Sequence, residues 1–126
     1  MTPSPFHDRV RWIAENELAF AIRDIYPVSL GHTLVIPKRL VVSVFDLNAK
    51  ETSACWALLA EQREHLRHSL SPRPDAFNIG INDGAVAGQT VAHAHIHLIP
   101  RFTGDHPDPR GGIRAVIPGK GPYAQR

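Results

Sequence analysis

The sequence predicts a single domain of mixed α and β structure, in which one long helix lies on a sheet. The chain has 126 residues, of which 43% are hydrophobic and 21% charged, and one hydrophobic core is typical of chains of about 100 to 150 residues. One uninterrupted helical pattern and several short alternating segments supply the elements. We therefore expect one globular domain over residues 1–126, with an irregular tail from about residue 102.

Two strands are predicted before the helix. Residues 18–23 alternate between large apolar side chains and small or polar ones, which is the period of a half-buried strand. A turn segment with Pro27 and Gly31 follows, and the apolar run Thr33 to Ile36 is typical of a buried strand that ends at Pro37. We expect these two strands to be antiparallel neighbours.

The long helix is predicted between Asn48 and Leu70. Asn48 stands three residues before Glu51, the spacing of a capping box, and no Gly or Pro interrupts the chain as far as Leu70. Pro72 and Pro74 then prevent its continuation. Spacings of three and four place one mostly apolar stripe on the helix, formed by Cys55, Leu58, Leu59, Gln62, Leu66 and Leu70.

Two further strands and a tail follow the helix. Alternation predicts a third strand over residues 76–82 and a fourth over residues 91–99, which Pro100 closes. From residue 102 onward, five Gly and four Pro share 25 residues. The segment 113–117 is the only part of this tail that is apolar enough to bury itself.

Charge and composition exclude several classes of function. Lys and Arg total 14 against 12 acidic residues, a formal net charge of +2, which gives little support to nucleic-acid binding. No apolar run approaches the ~20 residues of a membrane-spanning helix. The one cysteine, Cys55, cannot form an internal disulfide, and the first residues do not have the pattern of a signal peptide. We expect a cytoplasmic protein without a nucleic-acid or membrane partner.

Three histidines dominate the fourth predicted strand. His93, His95 and His97 occupy alternate positions and would lie on one face at about 6.5 to 7 Å per step. A single histidine on a strand is most often a hydrogen-bonded structural residue, but three polar rings side by side require a polar ligand or a metal in front of them. Imidazole binds zinc, copper and iron, and neutral imidazole also attacks phosphorus. Cys55 and Asp83 offer little to complete a metal sphere, but both interpretations stay open at this point.

The segment GQTVAHAHIHLIPR, residues 88–101, resembles the pattern of the histidine triad (HIT) family, in which three histidines alternate with apolar residues. RDIYPVSLGHTLVIPKR, residues 23–39, is similar to the N-terminal segment of that family. GDHPDPRGGIRAVIP, residues 104–118, is similar to bacterial members described as diadenosine polyphosphate hydrolases. The resemblance covers roughly residues 12–123.

This resemblance implies an α+β fold, in which a meandering antiparallel sheet carries one long helix, and a homodimer. It implies a nucleotide hydrolase or transferase in which His95 attacks the α-phosphorus of a nucleotide and forms a nucleotidyl-histidine intermediate that water hydrolyses. His97 is expected to contact phosphate and leaving-group oxygens, and His93 to orient its neighbours. His32 matches the fourth histidine of the family, which lies beside the triad.

The resemblance also implies the residues that hold the substrate. Gln89, Thr90 and Asn82 are expected to donate hydrogen bonds to phosphate oxygens, helped by backbone N–H groups near Gly88. Asp24 matches the residue that binds the ribose hydroxyls. Phosphoramidate-cleaving relatives often have Ser where Thr90 stands, so Thr90 favours dinucleoside polyphosphates as the substrate.

The chain departs from the family in one respect. Many bacterial members bind a structural zinc through an N-terminal CxxC, a histidine after the PKR segment and a triad histidine, whereas here PFHD stands near the start and Leu40 follows PKR. We therefore expect no metal and no cofactor. The alternatives are a nucleotide-binding module with little turnover, a phosphoramidate hydrolase, and a metalloenzyme with His93 and His95 as ligands.

Overall fold

One antiparallel sheet and one long helix form the domain in this computed structural model, which describes residues 4–123. The strands lie in the order β1-β2-β3-β5-β4 and every neighbouring pair is antiparallel. The elements are β1 (Trp12–Glu15), β2 (Ala19–Arg23), β3 (Thr33–Pro37), α1 (Ala49–Ser69), β4 (Ala76–Gly80) and β5 (Ile96–Arg101). Short 3-10 turns lie at Pro5–His7, Arg9–Arg11, Val44–Asp46, Ala85–Ala87 and Gly112–Val116. The predicted antiparallel sheet with one long helix is confirmed.

The helix begins and ends where its sequence signals predict. Asn48 Oδ1 accepts the Glu51 N–H at 2.8 Å, and Glu51 Oε1 accepts the Asn48 N–H at 3.0 Å, which is the reciprocal capping box. Arg39 binds the same carboxylate with two hydrogen bonds, which lowers the pKa of Glu51 to about 2. The predicted stripe is buried except for Leu70, which caps the helix and is half-buried.

At β2 and β3 the sheet is covered on both faces, so Ala19 to Ile22 of β2 are all buried, rather than alternately buried as the alternation predicted. One face packs against α1 through apolar side chains of the inner strands. The opposite face of β2 and β3 is covered by the N-terminal segment, in which Phe6 is buried and Trp12 stacks on Phe20 with ring centroids 3.9 Å apart. The helix-side cluster contains Ala19, Ala21, Val35, Cys55, Leu58, Leu59, Leu66, Ile96 and Leu98.

The first strand of the sheet is the element that sequence periodicity missed. β1 pairs with β2 across a bulge near Trp12. Asn16 makes the turn between them, because its Oδ1 accepts the N–H groups of Leu18 and Ala19 at 3.1 and 2.9 Å. Four residues of half-exposed pattern are too few to give a readable period.

The prediction of a fourth strand over residues 91–99 is wrong in its start and its end. β5 begins at Ile96 and continues through Pro100 to Arg101, so of the three histidines only His97 lies on a strand. The Ala94 N–H bonds to the Val41 carbonyl at 2.7 Å outside any ladder. The His93 carbonyl accepts a hydrogen bond from a side chain, that of His95. The segment before Ile96 is therefore held by individual contacts and not by strand pairing.

The expectation that residues 113–117 bury themselves is also wrong. Ile113 is 65% exposed and Ile117 is 59% exposed. The tail is instead folded on itself by two arginines, since Arg110 Nη1 donates to the Tyr123 carbonyl and Arg114 Nε donates to that of Lys120. These bonds hold the apolar side chains of the tail over a cavity, which is described below.

None of the helices within residues 4–123 combines the length and the apolar content that crossing a membrane requires.

Candidate functional site

Four histidines meet on the sheet face opposite the helix. His97 lies on β5 opposite Leu34 of β3, and His32 immediately precedes β3. The ring centroids of His97 are 5.2 Å from His32 and 5.1 Å from His95. The structure thus brings together the four histidines that the sequence analysis selected, although they do not form one straight row along a strand.

His95 presents one ring nitrogen to the site. Its Nδ1 lies 2.8 Å from the carbonyl oxygen of His93, and because a carbonyl only accepts, Nδ1 carries the proton. Nε2 therefore keeps its lone pair. The ring is 8% exposed and packs against the edge of Phe6 at a centroid distance of 5.1 Å. This is the arrangement that a neutral imidazole nucleophile requires.

A chain of hydrogen bonds fixes the tautomers of His32 and His97. The Val28 N–H donates to His32 Nδ1 at 3.1 Å, so the proton of His32 is on Nε2. That nitrogen lies 3.0 Å from His97 Nδ1 and donates to it. The proton of His97 must then be on Nε2, which is buried and has no hydrogen-bond partner within the described chain. An unsatisfied buried N–H of this kind is rare and calls for an explanation, of which a catalytic role is one.

Burial keeps three of these rings neutral. Desolvation, together with the smaller effects of the neighbouring His95 and His32, lowers the pKa of His97 to about 4, against the opposing effect of the Asp24 carboxylate. Desolvation also lowers the pKa of His93 and of His32, although at His32 the Asp24 carboxylate works in the opposite direction. At neutral pH these three histidines are therefore hydrogen-bond donors and acceptors of fixed direction, not cations.

His93 is fully buried and both of its ring nitrogens are occupied. Nε2 lies 2.7 Å from the Pro37 carbonyl and therefore donates to it, while Nδ1 lies 2.7 Å from Ser4 Oγ. His93 has no free lone pair for a substrate or a metal. The expected role of His93 in orienting its neighbours stays a prediction.

Asp24 lies at the other end of the histidine chain. Its Oδ1 accepts the Tyr26 N–H at 2.9 Å, and its Oδ2 is 3.5 Å from His32 Nε2. Donor atoms of Asp24, His32 and His97 all lie within 4.8 Å of one another, so these three residues can hold a metal ion. They form a different set from His93 and His95, which the metalloenzyme alternative had proposed as ligands.

The loop before the triad carries the expected phosphate ligands. Gln89 Nε2 donates to the carbonyls of Val42 and Val91 at 2.8 and 3.1 Å, and Oε1 accepts the Gly84 N–H at 2.9 Å. The Gly88 and Gln89 N–H groups bond to carbonyls within the same loop. The loop is thus closed by its own hydrogen bonds, and the Gln89 amide reaches a phosphate only if it leaves these partners.

Two remaining residues of that loop are accessible. Thr90 is exposed and Asn82 is half-exposed. Asn82 lies close to Gly88, whose φ of +96° is in the left-handed region that favours glycine. This glycine lets the loop reverse direction beside Asn82. Of the expected phosphate ligands, these two have side chains that are open to a substrate.

A cavity of about 1280 Å³ opens beside the histidines. It is larger than the usual range of about 300 to 1,000 Å³ for a small-molecule site. Its lining includes His32, His97, Asn82, Val86, Ile113 and Val116. His97 lines this cavity and His95 does not, while the centroids of the two rings are 5.1 Å apart.

Comparisons with known proteins show the family of this chain. A family model described as "HIT domain" matches residues 8–104. The chain belongs to the HIT family. A HIT family protein from Bacillus anthracis has a crystal structure with a TM-score of 0.69 at 36% identity, over 75% of this chain and 65% of that one.

Two curated relatives of this HIT protein carry activity names. A bis(5'-adenosyl)-triphosphatase of Dictyostelium discoideum is 45% identical over 86 residues, which cover 68% of this chain and 56% of the relative. An AP-4-A phosphorylase of Mycobacterium tuberculosis is 34% identical over 94 residues, which cover 74% and 47%. The HIT chain thus spans about half the length of these relatives.

The structural zinc site of many bacterial members does not fit this HIT chain, as the sequence analysis expected from its missing ligands. Of the triad histidines, His93 has hydrogen-bond partners on both ring nitrogens. Leu40 offers no donor atom, and Cys55 is buried in the helix-side core, where desolvation raises its pKa to about 11. Cys55 is therefore a core residue, as the helix stripe predicted, and the absence of a structural zinc stays a prediction.

Sequence reasoning missed the N-terminal contribution to the site. Ser4 contacts His93, and Phe6 packs on both His93 and His95. Nothing in the spacing of MTPSPFHD indicates these contacts. The local signal was Ser4 followed by Pro5, which is typical of the start of a helical turn. That signal does not show which distant side chain the serine contacts.

Proposed function

We propose that this HIT protein is a nucleotide hydrolase or transferase that attacks a nucleoside α-phosphate, most favourably in dinucleoside polyphosphates. The observation that carries the proposal is the tautomer of His95, whose Nδ1–H is held by a backbone carbonyl and whose Nε2 keeps its lone pair. The names of the two curated relatives, a triphosphatase and a phosphorylase of diadenosine compounds, support the substrate class.

The first step forms a bond between His95 Nε2 and the α-phosphorus and breaks the bond from that phosphorus to the bridging oxygen. The His93 carbonyl stabilises the positive charge that develops on the His95 ring through the Nδ1–H. The unpartnered Nε2–H of His97 donates to a phosphate or leaving-group oxygen. Water then forms a bond to the phosphorus, the bond from phosphorus to His95 Nε2 breaks, and one proton of the water passes to the solvent, so that His95 returns to its neutral form.

The molecule that accepts the nucleotidyl group in the second step decides between two activities. Water gives a mononucleotide, whereas inorganic phosphate gives a nucleoside diphosphate and makes the enzyme a phosphorylase. Both names occur among the relatives, and the same covalent intermediate serves both reactions. Hydrolysis is the primary proposal, because an exposed loop and a wide cavity admit water to the site.

We assign the two ends of the substrate to two sides of His97. Asp24 binds the ribose of the transferred nucleotide. Thr90 and Asn82 bind its phosphate with their open side chains, Asn82 from the wall of the cavity, and Gly88 and Gln89 join them when the loop releases its own hydrogen bonds. The cavity under Gly112–Val116 takes the leaving half, since it adjoins His97 and has apolar side chains suited to a second base. Phosphoramidates, with a smaller leaving group, fill this space less well.

The test compares the wild-type protein, His95→Ala and the control His65→Ala, which removes an exposed histidine of α1. Each is incubated with diadenosine tetraphosphate and with adenosine phosphoramidate, with and without inorganic phosphate, and products are separated by chromatography. We expect the wild type and H65A to cleave the dinucleotide and H95A to be inactive. Equal rates for H95A and wild type would show that the nucleophile is wrong.

The same three proteins, with calorimetry and a chelator added to the assay, separate the two rival functions. A nucleotide-binding module binds diadenosine tetraphosphate in calorimetry but yields no product with any of the three proteins. A metalloenzyme loses its activity with a chelator and regains it with added zinc; its ligands would be Asp24, His32 and His97. For the proposed covalent mechanism, the rate is independent of the chelator.

We further propose that the protein acts in the cytoplasm as a homodimer. β4 is an edge strand of the sheet, and Ile79 and Ile81 beside it are each 39% exposed. An open edge with apolar side chains is suited to pairing with a second copy. Light scattering after size exclusion should give twice the mass of 13.9 kDa, and a mass of one chain would contradict the proposal.

A further inference from the structure

We infer that Ser4 is a positioning residue for the nucleophile: its hydroxyl orients the His93 ring and, through it, the carbonyl that holds His95. This inference rests on the proposed function, in which His95 attacks phosphorus. Ser4 lies at the start of the turn Pro5–His7, outside both the triad and the loop before it. It is 9% exposed and lies beside the fully buried His93 ring.

The hydrogen bonds around Ser4 have only one consistent direction. Pro37 offers a carbonyl and no N–H, so His93 Nε2 donates to it at 2.7 Å and His93 Nδ1 is left with a lone pair. The Ser4 hydroxyl, 2.7 Å away, must donate to that lone pair. Its oxygen in turn accepts the Phe6 N–H at 3.1 Å. Both functions of the hydroxyl are therefore used, and the His93 ring is bound at its two opposite nitrogens.

The bound ring of His93 restricts the backbone of the same residue, and the carbonyl of that backbone holds His95. The carbonyl oxygen of His93 accepts the His95 Nδ1–H at 2.8 Å, which is the bond that leaves His95 Nε2 unprotonated. Phe6, two residues beyond Ser4, packs on both rings, with centroids 5.8 Å from His93 and 5.1 Å from His95. The turn that begins at Ser4 thus contacts the nucleophile both through a hydrogen-bond chain and through a ring.

A second contact holds the turn against the sheet. His7 Nε2 lies 3.1 Å from the Lys38 carbonyl, next to the Pro37 carbonyl that binds His93. The turn and the His93 ring are therefore attached to adjacent residues at the end of β3. Loss of the Ser4 hydroxyl would leave this His7 contact in place but remove both the cap of the turn and the donor to His93 Nδ1. A buried nitrogen without a donor is costly, and the ring then rotates or changes tautomer.

The chain supplies a matched control for this test. Ser43 begins another 3-10 turn, and its Oγ accepts the Phe45 N–H at 3.1 Å, the same cap bond and distance as at Ser4. Within residues 4–123, no hydrogen bond joins the Ser43 hydroxyl to a histidine. Ser43→Ala therefore removes a cap without touching the site, whereas Ser4→Ala removes a cap and the donor to His93.

The experiment measures kcat and KM for diadenosine tetraphosphate, thermal unfolding, and the ¹⁵N shifts of the His93 and His95 rings in the full chain. For S4A we expect kcat to fall by about 10- to 100-fold, KM to change little, and the ring shifts of both histidines to move. Ser4→Thr, which keeps the hydroxyl, should restore the shifts and most of kcat. S43A should behave as wild type.

Three outcomes would overturn the inference: unchanged ring shifts in S4A, a fall in kcat no larger than the loss of folded protein, or failure of S4T to restore the rate of S4A. If S4A does not fold, Ser4→Cys replaces it, because a thiol keeps the volume but is a weak donor. A wild-type protein without turnover refutes the proposed function. In that case the ring shifts still decide whether Ser4 orients His93 and His95.

Discussion

The two faces of the sheet differ in the kind of interaction that holds their side chains. On the helix face, nine buried residues of α1 and the strands form a continuous apolar cluster. On the opposite face, a smaller apolar cluster under the N-terminal segment adjoins four histidines, and six of their eight ring nitrogens are bound to a serine, to carbonyls, to an N–H or to one another. Both faces therefore contribute to stability, but the candidate site lies on only one of them.

The difference follows from the kind of interaction on each side. Apolar burial has no direction, so the helix face tolerates exchange among side chains of similar volume. The histidine face depends on the direction of each hydrogen bond, because one reversed tautomer moves the lone pair of His95 to the wrong nitrogen. Neighbouring residues of β5 fall on opposite faces and allow a direct comparison.

The largest expected effect is that of His97→Ala on the rate. This change removes the Nε2–H that we assign to a substrate oxygen and leaves the helix face unchanged. We expect kcat for diadenosine tetraphosphate to fall by about 10²- to 10³-fold with little loss of thermal stability. Steady-state kinetics and a melting curve on the same sample check this. A variant with normal kcat would exclude His97 from the reaction.

The next substitution along β5, Leu98→Ala, should give the opposite result. Leu98 is fully buried in the helix-side cluster, and removal of such a side chain typically costs about 2 to 5 kcal/mol. Chemical denaturation should show this loss, while kcat per folded molecule stays near the wild-type value. A selective loss of rate in L98A would mean that the two faces are coupled more tightly than the contacts indicate.

The pH dependence of stability should come from the histidine face. The pKa of His97 is lowered to about 4 in the folded state, whereas an unfolded histidine has a pKa of about 6.5. Between these values the unfolded chain binds the proton first, so stability is present above pH 6.5 and is lost as the pH falls toward 4. His32 and His93 shift in the same direction.

For His97 alone, we expect the free energy of unfolding to be lower by about 1 to 2 kcal/mol at pH 5 than at pH 7. The carboxylates of the chain titrate in the same range, so the measurement is the difference between wild type and His97→Phe, which cannot bind a proton. The phenylalanine variant should lose less stability on acidification. If the free energy of unfolding changed equally with pH in the two proteins, protonation of His97 would not be the cause.

The smallest expected effect is at the start of α1. Asn48→Ala removes the side-chain acceptor of the capping box and should cost about 1 kcal/mol of stability. Asn48→Ser, which keeps a capping oxygen, should recover most of it. Denaturation midpoints of the three proteins give the comparison, and activity should be the same for all three. Equal midpoints for N48A and wild type would mean that the Arg39 contact with Glu51 holds the helix start alone.

Local patterns in the sequence predicted most of the fold. The limits of α1 follow from Asn48, Glu51 and the prolines after residue 70, because caps and breakers act within one helical turn. Strands β2 to β4 lie within a few residues of their predicted ranges, since alternation reports the pleat. β1 was missed because four residues give no period, and β5 was shifted because His93 and His95 are held by contacts that alternation does not encode.

The candidate site was predicted in composition but not in arrangement. The triad and His32 were identified by motif, and the structure brings them together. Ser4 was not identified, because its partner His93 lies 89 positions away in the chain, and only the docked N-terminal turn brings the two into contact. Residues 113–117 were expected to be buried because they are apolar, but the tail holds them over the cavity instead.

By itself, the amino-acid sequence determined the helix, the approximate strands, the family and the four candidate histidines, since each of these depends on neighbours within a few positions or on a contiguous motif. Only the tertiary structure decided which nitrogen of each histidine bears a proton, because the groups that bind those nitrogens come from distant segments. In this protein a serine near the start and a carbonyl at the end of β3 hold the first triad ring. The protonation pattern of the site is therefore a property of the folded chain and not of the motif.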